Sequence, residues 1–311
     1  MTAPVLTVAW LVLAHLVADF VLQNDWIAMH KGAAGREGWS ALAMHGFHVA
    51  LCLLPAVLVW GGPGVVYIVV VVLSHMGVDR WKVRATRNAD RRAQAQARER
   101  LAKGGPQVIS GLGSAWSPMP GLLFLADQVF HLLFALIGWV VILEGAALVP
   151  AFVDAINAAL RDWDRAAVHG VILGLVLLLS IVIVNTRGAF YFVMAMASPR
   201  DIVPVADASG VVVPAPAADP AGAALPPAGP TGAAARVSAT IAALERLLIV
   251  AFVIAGAQVA VAAVIVLDVV AHLRQLEDRR FVEHYLMSTL ASLVIAVGSG
   301  LLAAAALGSL R

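Results

Sequence analysis

The sequence predicts an all-α fold, a polytopic integral membrane helix bundle of about seven transmembrane helices, and three observations lead there. Hydrophobic residues make up 61% of the 311 and charged residues 13%, with a mean hydropathy of +0.89. A soluble domain is about half apolar and a quarter charged, so this much hydrocarbon must face lipid or other spanning helices. The apolar stretches also recur at the length of about 20 residues that a spanning helix needs. They are about twice as long as the strands of a membrane barrel and lack strict alternation.

Taken in order, the expected spans are 5–23, 42–60, 65–82, 121–143, 168–186, 241–267 and 283–307. The opening MTAPVLTVAW holds neither Lys nor Arg, so it lacks the n-region of a secretory signal peptide, and the first span is expected to be retained. Spans two and three are separated only by the uncharged turn Gly61-Gly62-Pro63-Gly64. After span three comes a basic stretch, with Arg80, Lys82, Arg84, Arg87, Arg91, Arg92, Arg98, Arg100 and Lys103 against Asp90 and Glu99. The positive-inside rule makes this loop cytoplasmic. The 24–41 loop, with Lys31 and Arg36, is then inside and the 61–64 turn outside. Trp26, Trp39, Trp81 and Trp116 at the inner ends, with Trp60 and Trp139 near the outer ends, fit an aromatic belt at both interfaces.

Residues 150–165 read as a short amphipathic helix on the outer surface. The stretch 199–236 is rich in Ala, Pro and Gly without helical or strand period, and reads as a disordered linker. The expected organisation is therefore a five-span unit at 1–198, the linker at 199–236 and a two-span unit at 237–311. That arrangement puts the 272–282 loop, with Arg274, Arg279 and Arg280, on the outer side, against the charge rule. The single cysteine, Cys52, excludes an internal disulfide framework and a Cys-based zinc site.

Ionisable residues inside spans are costly and by default mark function. The first four spans carry His15-x-x-x-Asp19, His45-x-x-His48, His75-x-x-x-Asp79 and Asp127-Gln128-x-x-His131. Spacings of three and four place each set on one helix face. Counted from the cytoplasmic end of each span, all eight residues fall roughly 5 to 15 Å deep although the helices alternate in direction. A common depth predicts one shared site. Imidazole and carboxylate without thiolate suit a divalent ion, Zn or Mn before Fe or Ni, with His15, Asp19, His45, His48, His75, Asp79, Asp127 and His131 as its ligands. The acids could instead orient ligating histidines from the second shell. Each pair alone is as readily a helix-packing hydrogen bond, and the metal reading rests on the four sets together. Bis-His haem fits less well, because it needs no adjacent carboxylates. The basic stretch reads as a topology determinant before a lipid-recognition device.

Near the C-terminus, Glu245 and Arg246 flank a span start and read as interfacial charges, while the Gly-, Ala- and Ser-rich tail from Ser288 to Ser309 reads as close helix packing. The four N-terminal sets, with Phe20, Gln23 and Lys82, together resemble a bacterial inner-membrane family catalogued only as a domain of unknown function. Leu244-Glu245-Arg246-Leu247-Leu248-Ile249 and Glu283-x-Tyr285-Leu286-x-x-Thr289 are similar to the C-terminal block of its longer members. Asp268 and His272 stand where members have Lys and Arg. A more distant similarity to membrane-bound metal-dependent hydrolases implies hydrolytic chemistry. The expected protein is then a multi-pass protein of the bacterial inner membrane holding a divalent metal. It would act on a lipid or lipid-linked substrate, with Asp79 or Asp127 as general base and no nucleic-acid partner. The competing readings are a proton or ion transporter and a structural membrane scaffold. No continuous polar path crosses the outer halves of spans one to four, and no inverted repeat with broken helices is visible.

Overall fold

The computed structural model describes residues 3–104, 110–202 and 232–308, and among these every regular element is helical. The expected linker at 199–236 lies outside the described residues from 203 to 231. Six helical segments are long and apolar enough to cross a membrane: Pro4–Leu22, Gly62–Ala102, Met119–Leu143, Arg165–Ala197, Val237–Ile254 and Arg279–Gly308. Most of their surface is open within the chain. Only 6% of the most apolar window of Arg165–Ala197 is buried, so its remaining surface suits lipid.

The chain forms two compact units. The first is Met1–Trp81, Ala126–Arg187 and Leu302–Arg311. It begins with α1 (Ala3–Leu16), which passes into a π-helical turn at Val17–Leu22. Next come the short α2 (Asp25–His30), α3 (Gly35–Leu53) and α4 (Pro55–Trp60), followed by α5 (Gly62–Ala102) up to Trp81. From Ala126 the unit takes α6 (Met119–Gly138), α7 (Pro150–Ala159) and α8 (Arg165–Ile183). Asn24 starts α2 by accepting the Ile27 N–H at 2.9 Å, and Asp164 does the same for α8 through Ala166. Helix α7 opens with Pro150 at its first turn, as a proline-tolerant start allows, and none of its residues is buried.

The apolar core of this unit draws Leu11 and Ala14 from α1, Val49 and Leu53 from α3, Tyr67 and Val71 from α5 and Ala135 from α6. The Tyr67 hydroxyl satisfies itself on the Ala135 carbonyl at 3.1 Å. These residues lie within about two turns of the ionisable set on each helix, so an apolar layer borders a polar one.

Three expectations need correction. Span 42–60 is broken at Pro55, whose ring and missing N–H end α3 at Leu53 and start α4, so the segment is kinked rather than one straight span. Span 65–82 is part of a 41-residue helix, about 60 Å long, that continues through the basic stretch. Residues 83–102 are rich in Ala and Arg, both strong helix formers, so no loop begins where hydrophobicity ends.

The third correction falls in the second unit, Lys82–Leu125 with Gly188–Leu301, which includes α9 (Ala189–Ala197), α10 (Gly232–Ile254), α11 (Gln258–His272) and most of α12 (Arg279–Gly308). The expected span 241–267 is two helices, because Gly256 adopts φ +71°, a left-handed conformation that stops α10 and turns the chain into α11. α10 and α11 pack together as a helical hairpin. At the start of α12, Glu283 accepts the Ser110 hydroxyl at 2.5 Å and the Gly111 N–H at 3.1 Å, and the His284 ring donates to the Ala197 carbonyl at 3.0 Å. The 272–282 segment therefore shares one end of the unit with the loop that follows the basic helix. If both arms of the hairpin cross the membrane, the added reversal puts the 272–282 segment on the side of the basic stretch, as the charge rule requires.

This makes a topological prediction. In a Cys52→Ser background, a cysteine at Gly62, where a side chain meets nothing within 4 Å, should label from outside intact cells. A cysteine at Gln275 should label only after lysis, as should one at Arg100. Outside labelling of Gln275 would contradict the hairpin, and lysis-dependent labelling of Gly62 would invert the orientation.

Candidate metal centre

Four helices of the first unit deliver the ionisable residues to one place. His15 and Asp19 come from α1 and its π turn, His45 from α3, His75 and Asp79 from α5, and Asp127 and His131 from α6. The π turn inserts an extra residue into the backbone spiral at Asp19, an irregularity common at functional sites. Helices α3 and α5 approach closely because Gly46 has no side chain. A Cβ there would stand 3.0 Å from Met76 Sδ and 3.2 Å from Val72 Cγ1, so these side chains would have to shift by a few tenths of an ångström. That approach puts the adjacent His45 against His75.

All seven residues are buried, none more than 8% exposed. His45 Nε2 and His75 Nε2 are 3.0 Å apart. From Asp19 Oδ1 they stand at 3.4 and 3.1 Å, and from Asp79 Oδ2 at 3.3 and 3.8 Å. Ligand atoms around a tetrahedral ion with bonds of about 2.0–2.1 Å are separated by about 3.3 Å, so this spacing is compatible with a coordinated cation as well as with direct hydrogen bonds. The His131 ring stacks on His75 at 3.7 Å and 6°.

The tautomers sharpen the picture. Gln128 donates its amide N–H groups to Asp19 Oδ2 at 3.3 Å and Asp127 Oδ2 at 3.1 Å, so its carbonyl accepts from His15 Nε2 at 3.0 Å. His131 Nε2 donates to the His75 carbonyl at 3.3 Å. Both rings thus carry a proton on Nε2, and in the neutral form each Nδ1 keeps its lone pair. Those lone pairs face Asp19, His15 Nδ1 at 3.8 Å from Oδ1 and His131 Nδ1 at 3.7 Å from Oδ2, and the latter nitrogen is buried without a hydrogen bond. In the neutral rings a lone pair then opposes a carboxylate, and either a ring proton or a cation between them relieves the opposition. Three overlapping groups have the compactness to hold one: His15, Asp19, His75 and His131; His45, His75 and Asp79; and Asp79, Asp127 and His131.

Lys31 is the residue that sequence reasoning missed. Assigned to a loop as a topology charge, it is only 5% exposed and donates to Asp79 Oδ1 at 2.8 Å and Gln23 Oε1 at 2.9 Å. Burial works against its charge, but Asp79, Asp19 and Asp127 together outweigh it and hold its ammonium above the ordinary lysine value. The short α2, packed on α3, swings the following Lys31 inward. No periodicity marks a single lysine after a six-residue helix.

His48 stands apart. It lies three residues after His45, about 60° around the helix. It is half-buried, touches the Phe47 ring at 6.2 Å, and belongs to none of the three groups among the described residues. In the second unit, Asp268 accepts the Tyr285 hydroxyl at 2.7 Å and approaches His272 Nδ1 at 3.2 Å. Arg246, read as an interfacial charge, is 4% exposed and donates to Ser292 at 3.1 Å.

Residues 7–159, which contain the whole cluster, match the profile of a family described as "Protein of unknown function (DUF3307)". That stretch is a domain of unknown function. No curated protein and no solved structure matches the chain.

Proposed function

We propose that the chain is a multi-pass protein of the bacterial inner membrane that binds one divalent cation, Zn or Mn, in the His/Asp cluster near the cytoplasmic face. We further propose that it hydrolyses a lipid or lipid-linked substrate there. The observation that carries the metal reading is the pair of imidazole lone pairs, on His15 and His131, held against the Asp19 carboxylate. The charge count supports a single ion. Asp19, Asp79 and Asp127 bring three formal negative charges, and Lys31 brings one positive, leaving two for a divalent cation to balance.

A bound ion of this kind supplies Lewis acidity and an activated water, which suits ester or phosphoryl cleavage. The chain's own groups divide the remaining work. Lys31 engages Asp79, so the proton-accepting role falls to Asp127, with Gln128 holding its other oxygen.

Two outcomes follow. Metal affinity should fall as the pH falls, because an imidazole must be deprotonated to ligate and protons therefore compete with the ion. A metal titration of detergent-purified protein between pH 5.5 and 7.5 checks this, and a flat profile would argue against histidine ligands. For the hydrolytic step, purified protein loaded with Zn²⁺ or Mn²⁺ should release a soluble head-group product from a membrane lipid extract, and Asp127→Asn should abolish release. Absence of product with every lipid class would remove the hydrolase reading and leave the metal site to be judged on its own.

A further inference from the structure

The second unit contains a cavity of about 580 Å³ between the extramembrane part of α5 and the turn leading into α6. Its volume is that of a small-molecule site. One wall is a single helical stripe, Asn88, Arg92, Gln96 and Arg100, each one turn from the next. The facing wall carries Ser114, Trp116 and Ser117, immediately before the span Met119–Leu143. Small residues such as Ala89 and Ala93 line the cavity too, leaving space that longer side chains would fill.

The two arginines are not spoken for. The acids of this stretch are engaged elsewhere, Asp90 with Arg200 at 3.9 Å and Glu99 with Lys103. Among the described residues neither Arg92 nor Arg100 meets a carboxylate. A topology determinant needs only net positive charge. It does not need two arginines and two amides on one face opposite hydroxyl groups across an open volume. Arginine's planar fork, with hydroxyl and amide donors beside it, is suited to phosphoryl oxygens.

We propose that this cavity binds a phosphoryl-bearing anion through Arg92 and Arg100, with Asn88, Gln96 and Ser117 as neutral partners, the Ser114 hydroxyl being taken by Asp201 Oδ1 at 3.2 Å. The arginines are two turns apart, about 12 Å along the helix, so the ligand is a head group or phosphate cluster that spans both rather than a single small ion. Trp116 adjoins the start of the span Met119–Leu143, so a lipid phosphate is one source of the group, and a soluble phosphate compound offers the same chemistry. The site shares no residue with the His/Asp cluster and stands whether or not that cluster binds metal.

The test uses the full chain in nanodiscs and measures saturable binding in two arms. In one arm the nanodiscs contain phosphatidylglycerol in place of phosphatidylcholine. In the other, inorganic pyrophosphate is titrated against protein in phosphatidylcholine alone. Binding in either arm is expected, and which arm responds assigns the source of the phosphate. The R92Q/R100Q double variant should bind about tenfold or more weakly, as removal of charged hydrogen bonds predicts. Both positions are exposed, so the variant should keep the wild-type melting temperature. Arg98→Gln, off the cavity, should bind as wild type. Binding in neither arm, undiminished binding by the double variant, or an equal loss in Arg98→Gln would each overturn the proposal, the last by reducing it to diffuse charge.

Discussion

Lys31→Met is expected to destabilise the metal-free protein by about 3–5 kcal/mol, the range seen when one member of a buried ion pair is removed. Asp79 is 1% exposed, and its Oδ1 would lose the ammonium at 2.8 Å while the methionine fills nearly the same volume. The sign reverses for metal affinity. Without the ammonium the cluster carries one more unbalanced negative charge, so a divalent cation should bind more tightly and recover part of the lost stability. Thermal unfolding in chelator and in Zn²⁺ measures both, and the variant should show the wider gap between the two conditions. A variant that melts with wild type in chelator would mean that the Lys31–Asp79 pair contributes nothing.

His75→Ala should be comparably damaging, about 3 kcal/mol or more, because the ring is the hub of the cluster. It lies 3.0 Å from His45 Nε2, 3.1 Å from Asp19 and 3.7 Å from the His131 ring, and it belongs to two of the three ligand groups. The distinguishing result is non-additivity. If a cation links the helices, chelator should lower the melting temperature of wild type and leave His75→Ala unchanged. If the cluster only fixes helix register, the alanine variant should lose stability and chelator should affect neither protein. If it is a proton relay, a pH-linked flux should change while stability holds.

Much of this site was legible because helices enforce it. Spacings of three and four put His15 with Asp19 and His75 with Asp79 on single faces, and alternating helix directions made a common depth informative. The failures have physical causes. Lys31 reaches the cluster through the packing of a six-residue helix, which leaves no repeat in the sequence. Gly256 is one glycine in a long apolar run, and its left-handed conformation depends on tertiary packing as much as on its missing Cβ. Helix α5 outran its hydrophobic segment because Ala and Arg propagate a helix in water as well as lipid does. The π turn at Asp19 has no composition of its own, so the aim of that carboxylate could not be read.

The central claim is that a divalent cation resolves the opposition between the His15 and His131 lone pairs and Asp19. The most direct measurement is elemental analysis of the protein purified in detergent without chelator, followed by thermal unfolding of the stripped protein with and without added Zn²⁺ or Mn²⁺. One divalent ion per chain is expected, together with a rise in melting temperature on re-addition worth about 4 kcal/mol at a thousandfold excess over Kd. Metal well below one per chain, with no thermal shift from either ion, would contradict the account and make the cluster a structural feature of the bundle.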